Sequence, residues 1–351
     1  MTKTFYYTQP FSLESGTTLP GFHITYTTLG ALNTDGSNVI WVFHALTANS
    51  NPLEWWSGLI GDDKLFDPLQ YFIVCVNMPG SCYGSLSPLD NDPVSSQPYY
   101  HAFPQFTTRD MIRCYQYLRE ALEIQSVYIG IGGSMGGQQL LEWAIDEPTL
   151  FQYIIPIATN AKHSAWGIAF NAAQRFCIES DPTWPQQNAQ AGIDGMKTAR
   201  AIAMLSYRNY ISYTTAQTGW HETQGLIPTL SKAETYQHYQ GEKLSKRFNA
   251  FSYYFLSRSM DLHDVSRGRI SIDQALQKIQ ASALVIGIAS DVLFPITEQE
   301  ELAALIPDAK LVIIDSLYGH DGFLLEYEKI ANSIKQFLPA KKSTYTFTSL
   351  L

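Results

Sequence analysis

The chain has 351 residues, 45% of them hydrophobic, with 32 acidic against 23 basic side chains and a net charge of −9. That composition supports a full globular core and excludes the positive field that nucleic acid or anionic lipid would need, since no lysine/arginine run exceeds two residues. No apolar run reaches the roughly 18 residues of a membrane helix, and Met1 to Tyr7 lack the apolar centre of a signal peptide. A soluble cytoplasmic protein without nucleic-acid or membrane partners is expected. Cys75, Cys82, Cys114 and Cys177 form no Cys-x-x-Cys pair and no disulfide framework, so they are read as reduced packing residues.

In chain order, residues 5–7 and the alternating stretch 22–29 predict an antiparallel lead-in at a sheet edge. The period then changes. Residues 39–43 and 71–76 are continuous apolar runs, read as buried parallel strands, with a helix over 52–59 between them. A helix over 108–122, capped by Thr107 or Thr108, leads into a strand at 126–131; Leu140, Leu141 and Ala144 mark the next helix, stopped at Pro148. After a strand at 153–158 the alternation stops. Residues 160–280 read as mostly helical (166–178, 193–207, 244–260, 272–279), with a polar, irregular piece at 213–234. Strands return at 283–289 and 311–315, with helices over 298–305 and 323–337. The pattern predicts an α/β fold: a mostly parallel sheet, an antiparallel N-terminal lead-in and an inserted helical lid. The core domain is expected over 1–160 and 281–340, the lid over 161–280, and an unassigned tail over 341–351.

One stretch organises the rest. Gly132-Gly133-Ser134-Met135-Gly136 sits between a strand and a helix, at the spacing of a nucleophile elbow, where a Cβ at either flanking glycine would clash. Gly-x-Ser-x-Gly alone is a weak pattern; the strand-turn-helix context is what makes Ser134 a candidate nucleophile rather than part of a glycine-rich loop. A serine hydroxyl needs a base, and the base needs an acid to hold its tautomer. Late-strand loops supply both: Asp291, which could otherwise cap a turn before Pro295, and His320. His23 is read as part of the lead-in strand, His44 and His101 as loop residues, and His163, His221, His238 and His263 as surface or structural groups of the lid. The expected oxyanion donors are the backbone N–H groups of Met135 and of Leu46, in the loop His44-Ala45-Leu46-Thr47. No His-Glu-x-x-His or other metal spacing appears.

With these pieces placed, the sequence resembles the homoserine O-acetyltransferase family of the α/β-hydrolase fold over nearly its whole length. The residues that carry the likeness are 44–47, 132–137 with 141–144, 158–161, Phe170-Asn171 with Gln174-Arg175, 181–184, 199–200, Ser206-Tyr207-Arg208, 267–269 and 319–323. The resemblance implies a ping-pong transfer from acetyl-CoA, a co-substrate and not a permanent cofactor, to L-homoserine, for methionine biosynthesis. It also implies that Arg200 pairs with the acceptor carboxylate, that Tyr207 assists it, that Asp321 holds the ammonium group, that Thr47 lies at the substrate, and that the protein is a homodimer joined through the lid. Pro79, Ser81, Leu86 and Gly322 depart from the family pattern in loops that could shape the acyl pocket. Succinyl-CoA as donor, L-serine as acceptor, and water as acceptor in an esterase or thioesterase remain alternatives on the same triad.

Overall fold

A computed structural model describes residues 2–222 and 227–339; the tail at 341–351 lies outside them. The antiparallel lead-in is β1 (Thr2–Tyr7) against β4 (Phe22–Leu29), with a two-residue ladder of β2 (Phe11–Ser12) and β3 (Thr18–Leu19) that the sequence did not mark. The apolar runs form β5 (Val39–Phe43) and, beyond α1 (Pro52–Trp55), β6 (Phe72–Val76). The first helix stops short of its predicted end. Trp56 leaves the helical path and buries its ring, with Nε1 donating to the Phe323 carbonyl at 3.0 Å.

Next come α2 (Thr108–Ala121), β7 (Val127–Gly133), α3 (Met135–Asp146) and β8 (Phe151–Ile157). The cap of α2 is Thr107, in a reciprocal capping box with Asp110. Between β8 and the next strand lie α4 (Ala165–Glu179), α5 (Ile193–Tyr207), α6 (Tyr210–Gln217), α7 (Lys232–Ser245), α8 (Ala250–Asp261) and α9 (Ile272–Leu276). The helix predicted at 244–260 is therefore the end of α7 and most of α8, because Asn249 caps a new helix by accepting from the Ser252 N–H at 2.8 Å. The "irregular" piece holds the end of α6 and the start of α7, helices capped by Asn209 and Ser231; both are too polar for an apolar stripe to reveal them. The chain closes with β9 (Ser282–Ile288), α10 (Ile296–Leu305), β10 (Ala309–Ile314), α11 (Gly322–Leu325) and α12 (Tyr327–Phe337), the last two separated at Glu326.

The sheet has eight strands in the order β1-β4-β6-β5-β7-β8-β9-β10, and the six from β6 to β10 run parallel. Alternation within a strand feeds two cores. Trp41 and Phe43 face α2 and α3 with Tyr115 and Trp143, while Ile40 and Val42 face the other layer with Trp56, Ile330 and Ile334. Burial on both faces leaves the loops at the C-terminal strand ends as the place for chemistry.

Candidate active site

The elbow forms because nothing larger than hydrogen fits at its flanks. A Cβ on Gly132 would lie 2.6 Å from the Gly136 carbonyl carbon and oxygen, and one on Gly136 would lie 2.2 Å from the Phe43 carbonyl oxygen. Ser134 is consequently held at φ +56°, ψ −128°, a conformation whose cost for a non-glycine residue is about 1–3 kcal/mol. Neighbouring contacts hold it there: its N–H donates to Ile157 O at 3.0 Å, and its carbonyl accepts from the Thr159 hydroxyl at 2.8 Å.

Asp291 and His320 meet from loops after β9 and β10. His320 Nδ1 lies 2.6 Å from Asp291 Oδ2, and Asp291 Oδ1 accepts from the N–H groups of Leu293 (2.8 Å) and Phe294 (3.0 Å). Since an ionised carboxylate can only accept, the imidazole proton sits on Nδ1 and Nε2 keeps its lone pair. Both side chains are buried, with the ring between Phe294 (centroids 5.1 Å, stacked), Phe323 (5.2 Å) and Tyr207 (5.7 Å). The two loops are tied by Ser290, whose hydroxyl donates to Ser316 O and accepts from the Gly319 N–H. Phe323 connects this pair to the elbow, because its ring lies where a Cβ on Gly133 would be, 2.3 Å away. Among the described residues no hydrogen bond joins Ser134 Oγ to His320; catalytic bonds of this type are often long in a free enzyme and tighten around substrate.

The loop expected to supply the Leu46 donor is organised by His44, which the sequence left as an ordinary loop residue. Its Nδ1 donates to Ala45 O at 2.9 Å and its Nε2 accepts from the Met78 N–H at 3.1 Å; burial lowers its pKa to about 4, so it stays neutral. Leu46 N–H has no acceptor among the described residues, and Met135 N–H, at the first position of α3, has none within its helix. The missing Cβ at Gly136 seats α3 against the Phe43 and His44 carbonyls, so both donors belong to one corner.

Gly319 brings the helical segment to the triad. At φ +63° its Cβ would stand 2.8 Å from backbone atoms of Arg208 and Asn209, so the His320 turn abuts the end of α5. Arg200 and Tyr207 share one face of α5, with the guanidinium over the Tyr207 ring at 5.2 Å. Among the described residues Arg200 has no ion pair, and its buried Nε has no hydrogen-bond partner. Burial raises the Tyr207 pKa, keeping the phenol protonated. Asp321 is paired with Arg208, Nη2 to Oδ2 at 3.3 Å. Burial raises the Asp321 carboxyl, and Arg208, Arg200 and His320 oppose that rise. Arg208 was visible in the sequence only as part of a motif, because its contact with residue 321 is purely tertiary. Thr47 is half-buried and meets Arg247 through its carbonyl.

His163 and His263 are buried structural groups, bonded to Gln138, Asn171, Thr108 and Asn160; burial lowers them to about 4 and about 3. A cavity of about 650 Å³ between α4 and α5 is lined by none of Ser134, Asp291 and His320. A smaller one of about 220 Å³, lined by Arg208, Tyr213, Tyr236 and Tyr318, borders the site. No cluster of metal-ligating side chains occurs among the described residues.

A family model for the alpha/beta hydrolase fold matches residues 38–327. Together with the sheet order, this defines an α/β-hydrolase-fold protein, in which Asp291 and His320 are hydrogen-bonded and Ser134 stands at the elbow. The chain is 47% identical over 333 residues to a homoserine O-acetyltransferase of Cyclobacterium marinum, an alignment covering 95% of this chain and 94% of that one. The chain belongs to the homoserine O-acetyltransferase family. The crystal structure of a homoserine O-acetyltransferase from Bacillus anthracis superposes with TM-score 0.87 at 23% identity, covering 96% of this chain and 97% of that one. An acetylester hydrolase from Corynebacterium glutamicum superposes with TM-score 0.83 at 24% identity, covering 96% and 94%. At these identities both likenesses speak for the fold alone.

Proposed function

We propose that the protein transfers an acetyl group from acetyl-CoA to the hydroxyl of L-homoserine through an acetyl-Ser134 intermediate. Ser134 Oγ attacks the thioester carbonyl carbon as His320 Nε2 takes its proton, and the oxyanion is met by the Leu46 and Met135 N–H groups, about 3 kcal/mol of barrier for one such donor. The C–S bond breaks, and the thiol leaves with the proton returned by His320. In the second half His320 takes the homoserine hydroxyl proton, the alkoxide oxygen attacks the acetyl carbon, and Ser134 departs with that proton. Asp291 holds the ring in the tautomer both halves need. O-Acetyl-L-homoserine is the product.

The observation that carries an amino-acid acceptor over water is Arg200. A guanidinium with no carboxylate partner among the described residues, midway along α5 and over the ring of Tyr207 at the end that abuts the His320 turn, suits a substrate carboxylate bidentately. Tyr207 lies between it and His320, and Asp321 supplies the opposite charge for the ammonium group, in competition with Arg208. Thr47 is read as lining the same substrate space. We read 161–280 as a lid domain on a core of 1–160 and 281–340. Exposed Phe176, Leu205, Tyr210 and Ile211 support a homodimer joined through that lid. No described helix is long and apolar enough to cross a membrane, and all four cysteines are free; these fit the reading of a cytoplasmic biosynthetic enzyme. The test is thiol release with DTNB across homoserine, serine and water, using acetyl-CoA and succinyl-CoA. Release that requires homoserine and acetyl-CoA, and that Ser134→Ala abolishes, supports the reading. Equal release with water alone makes the protein a hydrolase.

A further inference from the structure

Close enough to Asp291 to feel its charge lies a second carboxylate that the acyl-transfer steps do not use. Glu298 stands in the first turn of α10, the helix that follows the Asp291 loop, and it is half-buried. Its Oε2 accepts from Asn160 Nδ2 at 3.0 Å, and Asn160 Oδ1 in turn accepts from Gln138 Nε2 at 3.0 Å. Gln138 is fully buried in α3, four residues after Ser134. Two side-chain hydrogen bonds thus join the helix that follows the acid to the helix that starts at the nucleophile.

We infer that Glu298 is a positioning residue for the proposed reaction, locking the Asp291 loop to the nucleophile helix and adding a negative charge near the Asp291–His320 pair when ionised. The inference rests on the triad reading. The groups that face Glu298 are Asn160 and Ser164 from the β8–α4 segment, Asp291 from the preceding loop and Glu301 from its own helix; none of these is a cation. Gln138, in α3, bonds Asn160 and lies 3.4 Å from Nδ1 of the neutral His163. An ordinary first-turn glutamate would be ionised throughout, favoured by the helix dipole. Here burial first, and the Asp291 and Glu301 charges after it, push the carboxyl up to about 7, against the bonds from Asn160 and Ser164. Its charge therefore changes in the range where an imidazole works, and the ionised form favours the imidazolium of His320.

The experiment is the pH profile of the p-nitrophenolate burst from p-nitrophenyl acetate, which reports acylation of Ser134 whatever the acceptor. Glu298→Gln keeps the acceptor for Asn160 but never ionises. It should retain the plateau rate and move the acid limb to lower pH by about half a unit. Glu298→Ala should lower the plateau about tenfold through the lost hydrogen bond. A Glu298→Gln profile that superimposes on wild type overturns the charge role, and a Glu298→Ala plateau equal to wild type overturns the positioning role. Homoserine-dependent thiol release measured in parallel separates these outcomes from failure of the acyltransferase reading itself, which leaves the burst test intact.

Discussion

Asp291→Asn isolates the tautomer argument. In the wild type, Asp291 Oδ2 accepts a hydrogen bond from His320 Nδ1–H at 2.6 Å, while Oδ1 accepts from the N–H groups of Leu293 and Phe294. Those two donors hold the side-chain oxygen of the variant where Oδ1 now sits, so the new amide must point its N–H at His320 Nδ1. An N–H cannot accept. The imidazole then carries its proton on Nε2, the atom that must receive the Ser134 proton, and the ring has no room to turn between Phe294, Phe323 and Tyr207. A base lost by wrong tautomer in a serine triad costs on the order of 10⁴ in rate, which is about 5.4 kcal/mol at 1.36 kcal/mol per decade. The fold should persist, because the amide replaces a carboxylate of the same shape and keeps both loop hydrogen bonds. The assay is the acylation burst and the thiol-release rate, with a thermal melt alongside. A variant that melts like wild type yet loses less than about tenfold in acylation would refute the reasoning.

Arg200→Lys keeps the charge but loses the fork; KM for homoserine should rise about 10- to 100-fold while the acylation burst is unchanged, and equal losses in both would contradict the assignment. His44, His163 and His263 are held neutral in the fold at about 4, about 4 and about 3, against 6.5 when unfolded. Their folded values are depressed, so the unfolded chain binds more protons as the pH drops. Stability is full above about 6.5 and is lost as the pH falls towards 4, by at least about 3 kcal/mol in total, read as a falling urea midpoint. Gly132→Ala, whose methyl would meet the Gly136 carbonyl at 2.6 Å, should lower stability by about 1–3 kcal/mol and abolish activity in the same denaturation and burst assays.

Much of this architecture can be read from pattern because its causes are local. Continuous β-branched runs at 39–43 and 283–289 mark strands buried on both faces, and the helix at 193–207 was placed to the residue by its periodicity. Ser134, Asp291 and His320 could be named as candidates because each follows a strand in a known order, and the Asp291–His320 contact agrees with that reading. Features that depend on distant contacts were not. Trp56 ends α1 because its ring finds the Phe323 carbonyl, which no window around residue 56 contains. The α7–α8 break depends on Asn249, a polar residue that reads equally well inside a helix or at its cap. The Arg208–Asp321 pair, the His44 bridge to Met78, and the Glu298–Asn160–Gln138 chain join residues 22 to 138 positions apart, so charge and spacing along the sequence carry no trace of them.

The central claim is that the acyl group rests on Ser134 between donor and acceptor. Mass spectrometry of protein mixed with acetyl-CoA in the absence of acceptor measures it directly. The account predicts one acetyl group on the peptide that contains Ser134, discharged on addition of L-homoserine with formation of O-acetyl-L-homoserine, and absent in Ser134→Ala. Thiol release under turnover with Ser134 never acetylated, or with the acetyl group on another residue, would contradict it.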